Sequence, residues 1–225
     1  MLTMTAPYKY RSTPYTKYFT SPDWVRFSLD LLGGKGPVGE FRYAPLIGPD
    51  ILTDILTRVT GQSVLDFAKE RLFAPLGIPV EQSITFRSKE ELMAFYESTD
   101  LRVWAADPAG VNTGGWGLTL SPMDLAKLGQ LYLDGGIWNG QRLVSERWVQ
   151  ESTAEQSRWA ERDLPYGYLW WVLPQGHGFA AMGDGGNALY VSPDKNLVAA
   201  ITSRFQPRVK DRIELIRTYV APCFD

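Results

Sequence analysis

Between Gly114 and Gln141 the chain reads Gly-Gly-Trp-Gly followed by a helix whose two ends are both spelled out. Ser121 stands where an N-cap side chain accepts a backbone N–H, and Pro122 fills the first helical position, where its missing N–H is not needed. Asp124 complements the positive end of the helix dipole. Leu125, Leu128 and Tyr132 then share one face, which must be buried against another element. Gly135-Gly136 stops the helix, and Ile137 to Leu143 around Asn139-Gly140 predicts a small hairpin. Ser145 caps a further short helix through Trp148.

The remaining elements follow from the same kinds of signal. Tyr8 to Gly39 is rich in Tyr, Pro, Thr and Gly and reads as loop, except where Ser21-Pro22-Asp23-Trp24 opens a short helix ending near Gly33-Gly34. Ile51, Leu52, Ile55, Leu56 and Val59 lie at helical spacing, with Pro49 near the start and Gly61 as the stop, so one apolar stripe is expected to face a core. Ser63 caps a second helix running to about Phe73, ended by Pro75-Leu76-Gly77. Periodicity weakens from Ile78 to Thr113, apart from a helix around Lys89 to Glu97. From Tyr166 the character changes. Tyr168 to Leu173, Phe179 to Met182, Ala188 to Val191 and Leu197 to Ser203 are short β-prone runs, an antiparallel meander. Lys210 to Tyr219 closes the chain as a helix with Ile213, Leu215 and Ile216 on its apolar side.

With 225 residues, 44% of them apolar, the chain can bury a sizeable core. A formal charge of -2 with both signs scattered offers no basic stripe, so nucleic acid is not an expected partner. No apolar run approaches the roughly 20 residues that span a bilayer. Cys223 is alone, which excludes an internal disulfide. No Cys/His cluster has zinc spacing and no phosphate-binding loop is present, so no metal, nucleotide or other cofactor is expected. His177, the one histidine, sits in Gln175-Gly176-His177-Gly178, a turn between strands, which argues against a Ser-His-Asp triad.

The Gly114 to Gln141 run, the helix-turn-helix-Pro-Leu-Gly order of Tyr43 to Gly77, and the later meander together resemble the β-lactamase-related serine hydrolases. That superfamily includes penicillin-binding proteins, class C β-lactamases and family VIII carboxylesterases. The resemblance implies an α+β, β-lactamase/transpeptidase-like fold: a helical region, an antiparallel meander and a C-terminal helix. It also implies that residues 1–225 are a single partial domain, 1–165 mainly helical and 166–225 strands plus helix. Met1-Leu2-Thr3-Met4-Thr5 matches a segment that follows the nucleophile helix in relatives, so the N-terminal strands and that helix, roughly 60 to 120 residues, are expected to lie outside this sequence.

Three elements converge in such enzymes: Ser-x-x-Lys on a buried helix, Tyr-x-Asn in a loop, and Lys-Thr-Gly or a similar segment on a strand. The lysine, one helical turn from the serine, helps deprotonate a hydroxyl that is otherwise a feeble nucleophile. The one literal match, Ser192-Pro193-Asp194-Lys195, spells a turn between strands instead of a helix. Phe41-Arg42-Tyr43-Ala44-Pro45 stands at the second element, so Tyr43 is the candidate general base or else packs beneath its loop, and Pro45 replaces the Asn. Gly183-Asp184-Gly185-Gly186 stands at the third. There the Gly186 N–H is a candidate oxyanion donor, while Asp184 either binds a cationic substrate group or stabilises the turn.

Asp184, Gly185, Trp116 and Trp170 are the candidate substrate contacts. Trp116 either walls a pocket or packs. Alternation along a strand makes one of Trp170 and Trp171 core and the other cleft or interface. A substrate with an ester, amide or peptide-like bond is implied for the parent, and this chain alone is expected to be inactive. The alternative is a non-catalytic ligand-binding or sensor domain of the same fold. Leu197 to Ser203 is expected to be left as an apolar sheet edge, open to homo-oligomer formation.

Overall fold

In the computed structural model, which describes residues 1–10, 14–34, 36–99, 101–204 and 208–224, the chain divides into two units. One comprises Met1–Ala74, Pro79–Phe95 and Leu101–Thr119, the other Pro75–Ile78, Tyr96–Asp100 and Leu120–Asp225.

The first unit begins with α1 (Tyr15–Thr20), inside the stretch whose composition reads as loop. It has no side-chain cap. Tertiary burial supplies what the local sequence does not: Tyr18 is fully buried, with its ring 4.8 Å from that of Trp24 and 5.0 Å from that of Phe19. Helix α2 (Trp24–Asp30) is capped by Asp23, whose carboxylate accepts from the Arg26 N–H at 2.7 Å. Helix α3 (Ile47–Thr60) ends at Gly61, which adopts φ 69°. Its first half is buried, through Ile47, Asp50, Ile51 and Thr53. Ile55 and Val59, expected to continue the apolar stripe into a core, are instead 48% and 80% exposed. Periodicity records which residues share a face, and here the aromatic cluster beside α3 takes in only the part of that face near Ile47 and Ile51.

Ser63 accepts from the Asp66 N–H at 3.0 Å and opens α4 (Val64–Ala68), which continues through a π-turn (Lys69–Phe73) into α5 (Ala74–Leu76). Pro75 therefore does not end the helix. It has no N–H to give and its ring presses on the preceding turn, and the wider coil just before it, closed by the Ala74 N–H on the Lys69 carbonyl, takes up the mismatch. Strand β1 (Gln82–Ile84) pairs in parallel with β2 (Val103–Ala105), and α6 (Lys89–Glu97) lies between them in sequence, where expected.

In the second unit α7 (Pro122–Leu133) begins as the sequence predicts, the Ser121 hydroxyl accepting from the Asp124 N–H at 3.1 Å. The hairpin of β3 (Ile137–Trp138) and β4 (Gln141–Arg142) turns at Asn139-Gly140, both with positive φ. Helix α8 (Glu146–Thr153) runs one turn past the expected Trp148. Six antiparallel strands follow: β5 (Ser157–Trp159), β6 (Leu164–Tyr166), β7 (Trp171–Val172), β8 (Phe179–Gly183), β9 (Asn187–Ser192) and β10 (Leu197–Ile201). Their spatial order is β10-β9-β8-β7-β6-β5, so β10 is an edge among the described residues.

Alternation divides the sheet's two faces. Phe179, Leu189 and Val191 meet Leu125, Leu128 and Tyr132 of α7. On the other face Ala180, Ala188, Tyr190 and Leu197 pack with Ile213, Ile216 and Ala221 of the C-terminal segment, which is α9 (Arg212–Leu215), a π-turn (Ile216–Val220) and a 3-10 turn (Ala221–Phe224). Leu215, placed on the apolar side by sequence, is 39% exposed. Its neighbours Ile213 and Ile216, three residues apart, fill that side by themselves.

Candidate functional site

Tyr43 lies in the first unit, in the loop leading into α3, with 40% of its surface exposed. The loop is fastened on both sides of it. The Arg42 N–H donates to the Met4 carbonyl at 2.7 Å, and the Arg42 guanidinium donates to the Tyr8 and Tyr10 carbonyls at 3.0 Å each. After Tyr43, the Pro45 carbonyl lies against Gly115: a Cβ there would sit 1.7 Å from that oxygen, and one on Gly114 would sit 2.4 Å from the Pro49 carbonyl oxygen. The Gly-Gly of the Gly-Gly-Trp-Gly run is thus required by backbone packed on backbone.

That junction rests on a buried carboxylate which the sequence reading did not single out. Asp50, in the first turn of α3, is 2% exposed and accepts from the Gly114 N–H at 3.0 Å and from the Tyr18 hydroxyl. Trp116 Nε1 in turn donates to the Tyr18 oxygen at 3.3 Å. Burial pushes the Asp50 carboxyl up to about 6, against the opposing pull of the Tyr18 and Gly114 hydrogen bonds. Burial, then the neighbouring Asp50 charge, also raises Tyr18. The clue in the sequence was an acid next to Ile51 within an apolar run, but nothing local names its partners. Trp116 is half-buried, packed among Phe19, Trp24, Phe86 and Phe95 with ring centroids 5.4 to 6.3 Å away.

Gly183 to Gly186 belong to the second unit and form the turn from β8 into β9. Gly185 (φ 78°) and Gly186 (φ 93°) take backbone conformations that other residues rarely adopt. Asp184 is exposed; its carbonyl accepts from Asn187 Nδ2 at 2.9 Å. The turn is held from behind: Ser203 Oγ donates to the Gly185 carbonyl, and the Ser203 N–H donates to Asn187 Oδ1 at 2.8 Å. Asp184 acts at a distance on Tyr96, whose hydroxyl is raised first by burial and then by that carboxylate.

Arg212, at the first position of α9, was also missed by the sequence reading. Its Nε lies 3.0 Å from where a Cβ of Gly186 would be, and it is buried without a hydrogen-bond partner among the described residues. Any side chain at position 186 would displace the guanidinium. No local signal marks this arginine, because its approach to the turn depends on where α9 lies on the sheet.

The two tryptophans separate as alternation requires. Trp171 is 5% exposed and stacks edge-on with Tyr166 at 4.7 Å, whereas Trp170 is half-buried on the opposite face against Tyr132 and Phe179. Ser192, the serine of the literal Ser-x-x-Lys, is 1% exposed at the end of β9, and Pro193 to Asn196 form the turn into β10. A nucleophilic serine needs its lysine one helical turn away, and this pair straddles a hairpin turn.

The beta-lactamase family model matches residues 1–221. The 6-aminohexanoate-dimer hydrolase of Paenarthrobacter ureafaciens is 29% identical over 175 residues, 73% of this chain and 39% of that protein. Among solved structures, a candidate 6-aminohexanoate-dimer hydrolase from Bacillus anthracis superimposes with TM-score 0.67 at 17% identity, over 96% of this chain and 57% of that one. A family VIII carboxylesterase does so with TM-score 0.62 at 17% identity, over 100% and 70%. The chain therefore spans about two fifths of the curated relative it matches. With a family model covering nearly its whole length and hydrolases of the same fold on both comparisons, the chain belongs to the beta-lactamase family.

Proposed function

We propose that this chain carries the tyrosine and oxyanion-strand portion of a serine hydrolase that cleaves an ester, amide or peptide-like bond through an acyl-enzyme. Tyr43 is the general base in this reading, and Gly186 N–H is one oxyanion donor. Asp184, Gly185, Trp116 and Trp170 contact substrate. The observation that carries it is the family match over residues 1–221 together with a Tyr43 that is exposed on a loop fastened by Arg42 and by Gly114-Gly115. A hydroxyl so placed is suited to proton transfer, since its loop has little freedom to move.

The 225 residues by themselves are inactive in this reading, because Ser192 is buried in a strand end and no other serine precedes a lysine at this spacing. Without the activated serine, both the nucleophile and the second oxyanion N–H are lacking. Incubation with nitrocefin and with short-chain nitrophenyl esters is expected to give no turnover above buffer. Turnover that a serine-directed phosphonate abolishes refutes this. A non-catalytic ligand-binding or sensor domain is the second reading, favoured by Pro45 in place of the Asn and by Asp184 in place of a base or cation. The gene sequence upstream of Met1 separates the two: an encoded Ser-x-x-Lys supports the hydrolase, and its absence supports the binding domain.

A further inference from the structure

Arg212 opens α9 with its guanidinium directly against the turn from β8 into β9. Its Nε stands 3.0 Å, and its Nη2 3.4 Å, from where a Cβ of Gly186 would be. A Cβ lies about 2.5 Å from its own backbone nitrogen, so the charge is centred roughly 6 Å or less from the Gly186 N–H.

The arginine does not hold the turn by hydrogen bonding. Ser203 and Asn187 do that, whereas Arg212 Nε is buried without a partner among the described residues. Nor does Arg212 form an ion pair among them. The adjacent acid, Asp211, accepts with Oδ1 from the Ile213 and Glu214 N–H groups. Residues 202–210 contain no acid and add three cations, Arg204, Arg208 and Lys210, all exposed. Holding a guanidinium half out of water with no carboxylate to meet it costs stability. A strained charge of this kind beside a candidate site points to a use for the charge itself.

Asp184 indicates what that use is. It stands where the resemblance leads one to expect a base or cation, so the turn carries an acid where negative charge would develop. Attack on a carbonyl moves an electron pair onto its oxygen, and the Gly186 N–H is the candidate donor to that oxyanion. The two opposed charges differ in weight. Asp184 is exposed and screened by water, whereas Arg212 is half-buried and screened less. We propose that Arg212 is a positioning residue that supplies from α9 the positive charge missing at Asp184, stabilising the oxyanion through Gly186 without touching substrate. This rests on the hydrolase reading, with Gly186 as oxyanion donor.

The test uses the parent protein, with the segment encoded upstream of Met1, and nitrophenyl butyrate, an uncharged ester that offers Arg212 no carboxylate to bind. Arg212→Met keeps the apolar stem and removes the charge, and Arg212→Lys keeps a charge; each is checked for a native near-ultraviolet circular dichroism spectrum. Arg212→Met is expected to lower kcat/KM about tenfold or more, through kcat, with KM within about twofold of the parent. Arg212→Lys is expected to recover most of that loss. The proposal is overturned if natively folded Arg212→Met matches the parent, if the loss lies in KM alone, or if Arg212→Lys is impaired as much as Arg212→Met. It is also overturned if neither Arg212→Met nor Arg212→Gln folds natively, which makes the role structural. A parent without turnover that a serine-directed phosphonate abolishes overturns the hydrolase reading and this inference with it, whereas an active parent indifferent to Arg212→Met overturns the inference alone.

Discussion

Asp50 gives the sharpest test of how the first unit is held together. Its carboxyl titrates near 4 in an unfolded chain, and burial raises it to about 6 in the folded one. A folded-state value above the unfolded value means that the native state binds the proton more tightly. This contribution to stability is therefore complete below the unfolded pKa and is lost as the pH rises through the folded one. About two units of difference correspond to roughly 3 kcal/mol, most of it lost between about pH 4 and pH 6.

Asp50→Asn removes the titration while keeping an acceptor for the Gly114 N–H. Urea unfolding of both proteins from pH 3.5 to 7.5, followed by tryptophan fluorescence, isolates the term as the difference between the two stabilities. The parent is expected to lose roughly 3 kcal/mol relative to the variant as the pH rises across that window. Tyr18→Phe adds a second check, since losing the Tyr18 hydrogen bond should move the folded carboxyl higher and extend the loss to higher pH. A difference independent of pH, or one that grows in the parent's favour towards neutrality, refutes the account of Asp50 as a desolvated acid.

Three further outcomes follow from the packing. Gly115→Ala must push a methyl into the Pro45 carbonyl and is expected to cost about 3 kcal/mol or to prevent folding, read by the shift in urea midpoint; a loss below about 0.5 kcal/mol would show that the junction yields easily. Ser121→Ala leaves the Asp124 N–H without its cap and is expected to cost about 1 kcal/mol in the same assay, with no effect if that N–H finds another acceptor. The β10 edge, with Val198, Ala199, Ala200 and Ile201 carrying no charge or proline, is expected to drive concentration-dependent self-association in light scattering. A monodisperse monomer at all concentrations would count against strand-edge pairing.

The helices that carry their own punctuation were legible. Ser63, Ser121 and Ser145 each accept the N–H predicted for them, and Asn139-Gly140 makes the predicted turn. Elements fixed by distant partners were not. Helix α1 has no cap and exists through the burial of Tyr18, and the helix through Pro75 continues because a π-turn accommodates the ring. Resemblance pointed to Tyr43 and to the Gly183 to Gly186 turn as candidates, whereas it pointed to neither Asp50 nor Arg212. Their importance lies in which backbone each meets, Gly114 for one and Gly186 for the other, at separations in sequence that no local pattern spans.

The sequence by itself determined where α4, α7 and α8 begin, the Asn139-Gly140 turn, the strands β8 to β10 and the Pro193 to Asn196 turn after Ser192, because capping, alternation and turn chemistry act within a few residues; it did not mark α1, β1, β2, β5 or β6. Tertiary structure decided which part of an amphipathic face is covered, leaving Ile55, Val59 and Leu215 exposed. It also decided which polar groups are taken out of water: Asp50 acquires an acidity unlike that of a free carboxyl, and the Tyr190 hydroxyl is buried without a hydrogen-bond partner among the described residues. Desolvation depends on everything packed around a group, and a linear sequence does not record that.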